Sequence, residues 1–305
     1  MELRQLENFL KIAEYENITQ AAEALHMSQP PLTRQLQALE AELGTELFVR
    51  EKKRLHITEA GRFFRQQAEQ ILALADKTAE QVRQIGEGLT GTLYIGSIET
   101  AGPALLPKWL EGFKARWPDV RYSLWSGNSD DVIERLEKGL VDVALIREPF
   151  NGEKFESVHI LDEPWAALVR IDHALSNADS LTLAQLAGAE LIVPIRRSTE
   201  VARWFSEAGM EADISCQYAP LINGVILAEQ GLGVTICPAS AGDMLSGRPL
   251  VMRPLVDAPA SGVALIWQRG SRLSAPAEKF IEYIMTLPYP GSLTIPRQFN
   301  DTPVI

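Results

Sequence analysis

From Arg62 to Ile85 the chain runs for about 25 residues without a helix breaker, long for one helix of a globular protein and with nothing obvious of its own chain to lie against. Phe64, Ala68, Ile71, Ala75, Thr78, Val82, Ile85 and Leu89 recur at alternating steps of four and three. That is a heptad seam, which favours packing against a second copy of the same helix. A helix docked on its own domain would show a similar stripe, so both readings stand at this point. Gly86, Gly88 and Gly91 then break the helix and mark a hinge. The rod therefore divides the 305-residue chain, itself about twice an ordinary domain length, into a part before it and a part after it.

Before the rod, the periodicity is helical. Leu3, Leu6, Phe9, Leu10 and Ala13 share one face, and Ile18 to Leu25 and Leu32 to Leu43 repeat the spacing, which predicts three short helices within the first 45 residues. Glu46 to Ile57 reads as two short strands around the charged turn Glu51-Lys52-Lys53-Arg54, and Thr58 suits the N-cap of the long helix. Three helices followed by a hairpin is the plan of a winged helix-turn-helix.

The stretch Ile18 to Gln37, ITQAAEALHMSQPPLTRQLQ, carries the chemistry. Ala21 and Ala22 are small where two helices must approach closely. The turn falls at His26-Met27, and histidine tolerates the left-handed backbone such a turn needs better than most residues. Ser28 is placed to cap the following helix, with Pro30 and Pro31 in its first turn, where a missing amide hydrogen costs nothing. That helix presents Ser28, Gln29, Pro31, Thr33, Arg34 and Gln35, with no carboxylate before Glu40. Gln and Arg can bond bidentately to adenine and guanine edges in a major groove, while Thr19 and Ser28 suit phosphate oxygens. An ordinary pair of amphipathic helices would look similar in outline.

Charge distribution supports the nucleic-acid reading more than total charge does. The net charge of −11 opposes a polyanionic partner, because DNA affinity comes largely from neutralising phosphates. Between Arg50 and Arg65, however, six basic residues (Arg50, Lys52, Lys53, Arg54, Arg62, Arg65) face only Glu51 and Glu59, a local balance of +4. A solvated basic loop would have the same composition. Placed on the hairpin, Arg50, Lys52, Lys53 and Arg54 would lie over backbone or minor groove beside the inserted helix.

Several signatures then occur in order: AA-x-x-L at Ala21, SQP-x-L-[ST]-RQ-[IL] at Ser28, LE-x-x-LG-x-x-LF-x-R at Leu39, and LT-x-AG with Ile57-Thr58 in place of Leu-Thr. Over roughly residues 1 to 65 the chain closely resembles the DNA-binding domain of LysR-type transcriptional regulators. The resemblance continues, more weakly, through the long linker helix and a co-inducer domain of matching length. It implies a sequence-specific regulator of double-stranded promoter DNA that works as a homodimer or homotetramer, with contact to RNA polymerase also open.

Beyond Gly91 short apolar strands alternate with amphipathic helices, which indicates an α/β sheet with helices on its faces. Strands are expected at 92–97, 121–126, 141–147, 166–170, 190–195, 214–218, 234–237 and 263–268. Eight strands can make one large sheet or two lobes. The resemblance implies two, as in a type 2 periplasmic binding protein, with an effector between them. The expected plan is therefore α+β and multidomain: a DNA-binding domain over 1–58, a linker helix and hinge over 59–90, and an effector domain over 91–305. Lobe I takes about 92–161 and 266–290, and lobe II about 162–265.

In an open α/β domain the cleft is lined by loops at the carboxyl ends of strands, where helix N-termini offer free amides. Those loops supply Ser97, Glu99, Thr100, Ser126, Asn128, Ser129, Arg147, Ile195, Arg196, Ser198 and Asn223 as candidate effector contacts. Their hydroxyls and amides, with an arginine, suit a small anionic metabolite, although Glu99 at the mouth opposes that. For any one of these residues, a plain helix cap is the alternative.

Other classes are weaker. Cys216 and Cys237 lie in apolar strand segments without neighbouring bases to lower a thiol pKa, so core packing is expected of both. No Cys/His cluster has metal-ligand spacing, and neither metal nor cofactor is implied. An enzyme built on the α/β part finds no support, since no nucleophile elbow, Walker loop or dinucleotide fingerprint follows a strand. An exported solute carrier would need a leader, which residues 1–25 do not resemble, and no run is long and apolar enough for a membrane span. A cytoplasmic location is the expectation.

Overall fold

The computed structural model describes residues 1–51, 54–83 and 89–288, which fall into two compact units, Met1–Glu87 and Gly88–Ile305. Ile85, the hinge glycines Gly86 and Gly88, and the wing-tip lysines Lys52 and Lys53 lie outside the described residues.

The first unit comprises α1 (Leu3–Tyr15), α2 (Ile18–Ala24), α3 (Gln29–Leu43), the strands β1 (Phe48–Glu51) and β2 (Arg54–Ile57), and α4 (Glu59–Arg83). Leu6, Phe9 and Ile12 of α1, Ala21 and Ala22 of α2, and Leu32, Leu36 and Leu39 of α3 meet in one core. Each buried Leu, Ile or Phe contributes about 1.5–3 kcal/mol, enough to fix three helices that would be marginal alone. His26 has φ 53°, the left-handed turn expected of it, and Asn17 caps α2 by accepting from the amides of Thr19 and Gln20. Ser28 sits at the N-cap of α3 in extended conformation but makes no side-chain cap bond. β1 and β2 pair antiparallel from Phe48 opposite Ile57 to Glu51 opposite Arg54.

The start of α4 corrects one expectation about the heptad seam. Ala68 is completely buried in this unit's own core, and Phe64 packs edge-on against Phe9 with ring centroids 4.8 Å apart. These two positions are therefore closed to a second helix. Gly61 explains how α4 comes so near, since a Cβ there would collide with the Leu47 carbonyl oxygen. Further along, Ile71 and Val82 are 37% and 61% exposed, and together with Leu74, Ala75, Thr78 and Ala79 they line a shallow apolar groove.

The second unit contains two five-stranded sheets. The first, in the order β4 (Val120–Gly127), β3 (Gly91–Ile98), β5 (Val143–Arg147), β12 (Ser261–Gln268), β6 (Phe155–Glu163), is covered by α5 (Ala101–Arg116), α6 (Ser129–Glu137) and α10 (Ala275–Thr286). The second, in the order β11 (Leu250–Pro254), β7 (Trp165–Arg170), β10 (Val234–Pro238), β8 (Leu191–Pro194), β9 (Ile214–Tyr218), is covered by α7 (Leu183–Leu186), α8 (Ser198–Glu207) and α9 (Leu221–Glu229). Both faces of each sheet are apolar: Trp109, Phe113 and Phe280 cover one side of the first and Val132 and Leu136 the other. Trp204 and Phe205 of α8 and Val225 and Ala228 of α9 do the same for the second.

Two strands, β6 and β11, were not among the expected ones. β12 also starts earlier than expected and pairs with β5 and β6 from Ser261 onward, so residues 261–265 belong to the first lobe and not the second. Likewise β6 carries the first lobe to Glu163, past the expected boundary at 161. The chain crosses between lobes at Glu163–Trp165 and again between β11 and β12.

Candidate functional site

Burial of Leu32, Leu36 and Leu39 turns the opposite edge of α3 outward. Gln29, Pro30 and Arg34 are exposed on it, and Pro31 and Thr33 are half-buried. Arg34 has no hydrogen bond or ion pair to another described residue. Gln29 and Thr33 are linked one turn apart, Nε2 donating to Oγ1 at 3.0 Å, which pre-orders the glutamine amide. Gln35 is less available than expected: its carbonyl accepts from buried Asn8 at 2.5 Å, tying it to α1. Thr19 stands exposed at the start of α2. Glu40, the first acid along α3, faces inward and accepts the amides of Leu47 at 2.8 Å and Phe48 at 3.2 Å, which fixes the wing against the helix. From Gln29 to Gln37 the outward edge is therefore polar and free of carboxylates, and the hairpin that holds Arg50 and Arg54 is seated on the same helix through Glu40.

The second site lies between the two lobes of the larger unit, a cavity of about 690 Å³. Its lining includes Glu99, Thr100, Asn128, Ser129, Arg147, Ile195 and Arg196 of the expected set. Four expected residues stand away from it, each bonded elsewhere. Ser97 and Ser126 share a hydroxyl contact of 3.3 Å, Ser198 donates to the Ile195 carbonyl at 3.0 Å, and Asn223 donates to the Ala219 carbonyl at 3.0 Å. Asn128 reaches the lining, but its carbonyl is committed to the amides of Asp130 and Asp131 as the cap of α6.

Charges around the cavity are mostly paired. Arg196 of lobe II bonds Asp130 of lobe I across the mouth, Lys154 bonds Glu137 at 2.7 Å, and Arg197 bonds Glu200 at 2.6 Å while reaching the Glu148 carbonyl at 3.5 Å. Arg147, at the end of β5, is 6% exposed; one nitrogen, Nη2, donates both to fully buried Glu163 at 2.6 Å and to Thr100 at 3.0 Å. Glu163 in turn accepts the Ser240 amide at 2.8 Å, so the hinge strand, the cleft and lobe II share one ionic knot. Sequence reasoning missed the apolar wall: Phe150, Phe155, Trp165 and Tyr218 also line the cavity. Nothing in the sequence separates such residues from ordinary core.

Family comparison decides what these two sites belong to. Residues 3–62 match the model described as "Bacterial regulatory helix-turn-helix protein, lysR family", and residues 86–287 match the "LysR substrate binding domain". The chain belongs to the LysR family of transcriptional regulators. This LysR-type regulator is 32% identical over 276 residues to the Hca operon transcriptional activator HcaR of Escherichia coli K12, covering 88% of this chain and 93% of that one. Its fold is similar to that of CbnR, a LysR family transcriptional regulator, with a TM-score of 0.80 at 28% identity over 93% of this chain and 98% of that one. It is equally similar to full-length CbnR in complex with target DNA, with a TM-score of 0.79 at 29% identity over 93% and 99% of the two chains.

Membership makes this regulator a DNA-binding protein with an effector domain, not an enzyme. Among the described residues no group of three or more His, Cys, Asp or Glu could hold a metal ion, and no helix is long and apolar enough to cross a membrane.

Proposed function

We propose that this LysR-type regulator reads promoter DNA with the outward edge of α3, working in the cytoplasm as a homodimer that pairs into a tetramer. Gln29, Pro30, Pro31, Thr33 and Arg34 face base edges, and Thr19 and Ser28 contact phosphate. Arg50, Lys52, Lys53 and Arg54 lie over adjacent backbone. The domain limits follow the same reading: DNA-binding domain, linker helix from Glu59, and effector domain from about Gly91. The carboxylate-free edge beside a basic hairpin is the observation that carries this, because an acid there would repel phosphate. The match to CbnR solved with its target DNA supports it.

The interlobe cavity is the effector site. Its volume is that of a pocket for a small metabolite, which meets four cationic side chains, Arg147, Lys154, Arg196 and Arg197, each already paired with a carboxylate. The effector shifts the balance between lobe arrangements, and the regulator acts on transcription through its DNA geometry and contacts with RNA polymerase. Sequencing the chromosomal fragments that purified protein retains, then testing which metabolite fractions move its footprint, tests both halves. One shared operator sequence with a metabolite-dependent footprint is expected. Retention of fragments no better than competitor duplex at moderate salt, with or without metabolites, overturns the reading.

A further inference from the structure

Asn8, 5% exposed, is a polar side chain placed among the apolar contacts that join α1 to the rest of the first unit. Its Nδ2 donates to Gln35 Oε1 of α3 at 2.5 Å. A leucine would fill such a place without the cost of burying an amide, so what Asn8 adds is direction. Leu32, Leu36 and Leu39 hold α3 by apolar burial, which is non-directional and tolerates a small roll of the helix about its axis. A hydrogen bond between two helices does not. Among the described residues, the other polar tie from α3 to the start of the chain is the Met1 amino group on Glu42 at 2.6 Å. It is exposed, at the far end of the helix, where solvent screens it. The roll of α3 matters because Gln29 and Arg34 project from it, and Arg34 precedes Gln35 in the chain. A rotation of about 10° carries an arginine tip on the order of 1 Å, beyond the roughly 0.5 Å within which a recognition contact must be held. Glu40 seats the hairpin on the same helix, so a roll would displace the wing as well.

Resting on the assignment of the outward edge of α3 as the base-reading surface, we propose that Asn8 is a positioning residue that determines sequence specificity without touching DNA. Through Gln35 it fixes the roll of α3, so that Gln29 and Arg34 meet one set of base edges. Attraction to phosphate is sequence-independent and survives a small roll, whereas a bidentate contact to a base edge does not. Breaking the tie therefore lowers discrimination and leaves non-specific affinity in place. Stability follows a different course. Gln35 is half-buried and reaches water once released, so an apolar side chain at position 8 leaves no buried polar group without a partner.

The test uses the full-length protein and two probes: the duplex that wild type enriches from a randomised pool, and a random-sequence duplex of the same length. Affinities for both are measured at several salt concentrations, with melting temperature on the same samples. Asn8→Leu is expected to lower the ratio of the two affinities about tenfold. Its affinity for random duplex, its salt slope and its melting temperature should stay close to those of wild type. Gln35→Glu keeps an acceptor for Asn8 and is expected to hold the ratio within about twofold, although the added charge weakens both duplexes. Should Asn8→Leu fail to fold, judged by circular dichroism, Asn8→Ser takes its place, since its hydroxyl is too short to reach Gln35. An unchanged ratio in the folded position-8 variant overturns the proposal, and so does an equal weakening on both duplexes. A Gln35→Glu protein that loses the ratio as fully as Asn8→Leu also overturns it, because Gln35 is then itself a reader. The two levels of inference separate at the first step. If wild type enriches no shared sequence, the base-reading edge falls and the proposal with it; if it does and the position-8 variants discriminate as well as wild type, only the positioning role falls.

Discussion

Phe64 meets Phe9 edge to face at 4.8 Å, and with Ala68 and Leu72 beyond it this contact ties the first part of the long helix into the DNA-binding unit's own core. The heptad stripe read from the sequence therefore contains two different surfaces. Phe64→Ala is expected to lower the stability of the first unit by about 2–3 kcal/mol, somewhat less than for a fully buried phenylalanine, without changing the assembly state of the folded protein. Leu74→Glu, in the exposed groove, is expected to do the reverse, giving monomers by sedimentation with an almost unchanged far-ultraviolet spectrum. A Leu74→Glu protein that still sediments as a dimer would remove the self-pairing role of this groove.

Base-edge and phosphate contacts differ in how they depend on sequence and salt. Arg34→Ala and Gln29→Ala are each expected to cost about 1–3 kcal/mol of discrimination between operator and random DNA, because a lost bidentate pair affects the matched base alone. Arg54→Ala should weaken both kinds of DNA similarly and reduce the salt slope by about one for the phosphate no longer neutralised. Binding isotherms on both duplexes at several salt concentrations check this. Operator preference retained in both α3 variants would refute their placement at base edges.

How much of this was visible in the sequence depended on whether one short-range pattern carried the information. The helix-turn-helix was legible because helical periodicity, His26 in a left-handed turn and the prolines opening α3 all act within a few residues. β6 was not, since FESVHILDE has a burial pattern without two-residue alternation. β11 was hidden by buried Arg253 and a terminal proline in a five-residue strand. The cleft was half legible. Loop positions predicted Thr100, Ser129 and Arg147 at the cavity, but several hydroxyls and amides proved committed to nearby backbone, and the aromatic wall is indistinguishable in sequence from core. Glu163, partner of Arg147, sits 16 residues away in a strand that was not foreseen.

The two cysteines, both expected in the core, lie in different environments. Cys237 is completely buried on β10, and burial, with the negative charge of Glu163 adding to it, pushes its thiol up far beyond the usual range. Cys216 is only half-buried, because β9 is the edge strand of its sheet. A raised pKa keeps Cys237 protonated at neutral and mildly alkaline pH, and only the thiolate attacks a disulfide reagent. In the native protein at pH 8, one thiol is expected to react with an aromatic disulfide reagent, the second appearing only after denaturation. Two thiols reacting at one rate before unfolding would contradict the burial of Cys237.

Glu40 gives the most direct test of how the wing is positioned. Its carboxylate accepts the amides of Leu47 and Phe48, while Thr58 donates its hydroxyl to the Leu47 carbonyl at 3.1 Å, so the entry to β1 is held from both sides. Glu40→Ala leaves two partly buried amides without an acceptor, an expected loss of about 1–2 kcal/mol of stability. Because the hairpin carries the basic residues, looser seating should also weaken binding to operator and random DNA alike. Glu40→Gln retains an acceptor oxygen and should recover most of both losses despite removing a negative charge near DNA. If instead Glu40→Ala binds DNA more tightly than wild type, repulsion between this carboxylate and phosphate outweighs its role in seating the wing. Melting temperature and affinity measured on the same three proteins distinguish the two effects.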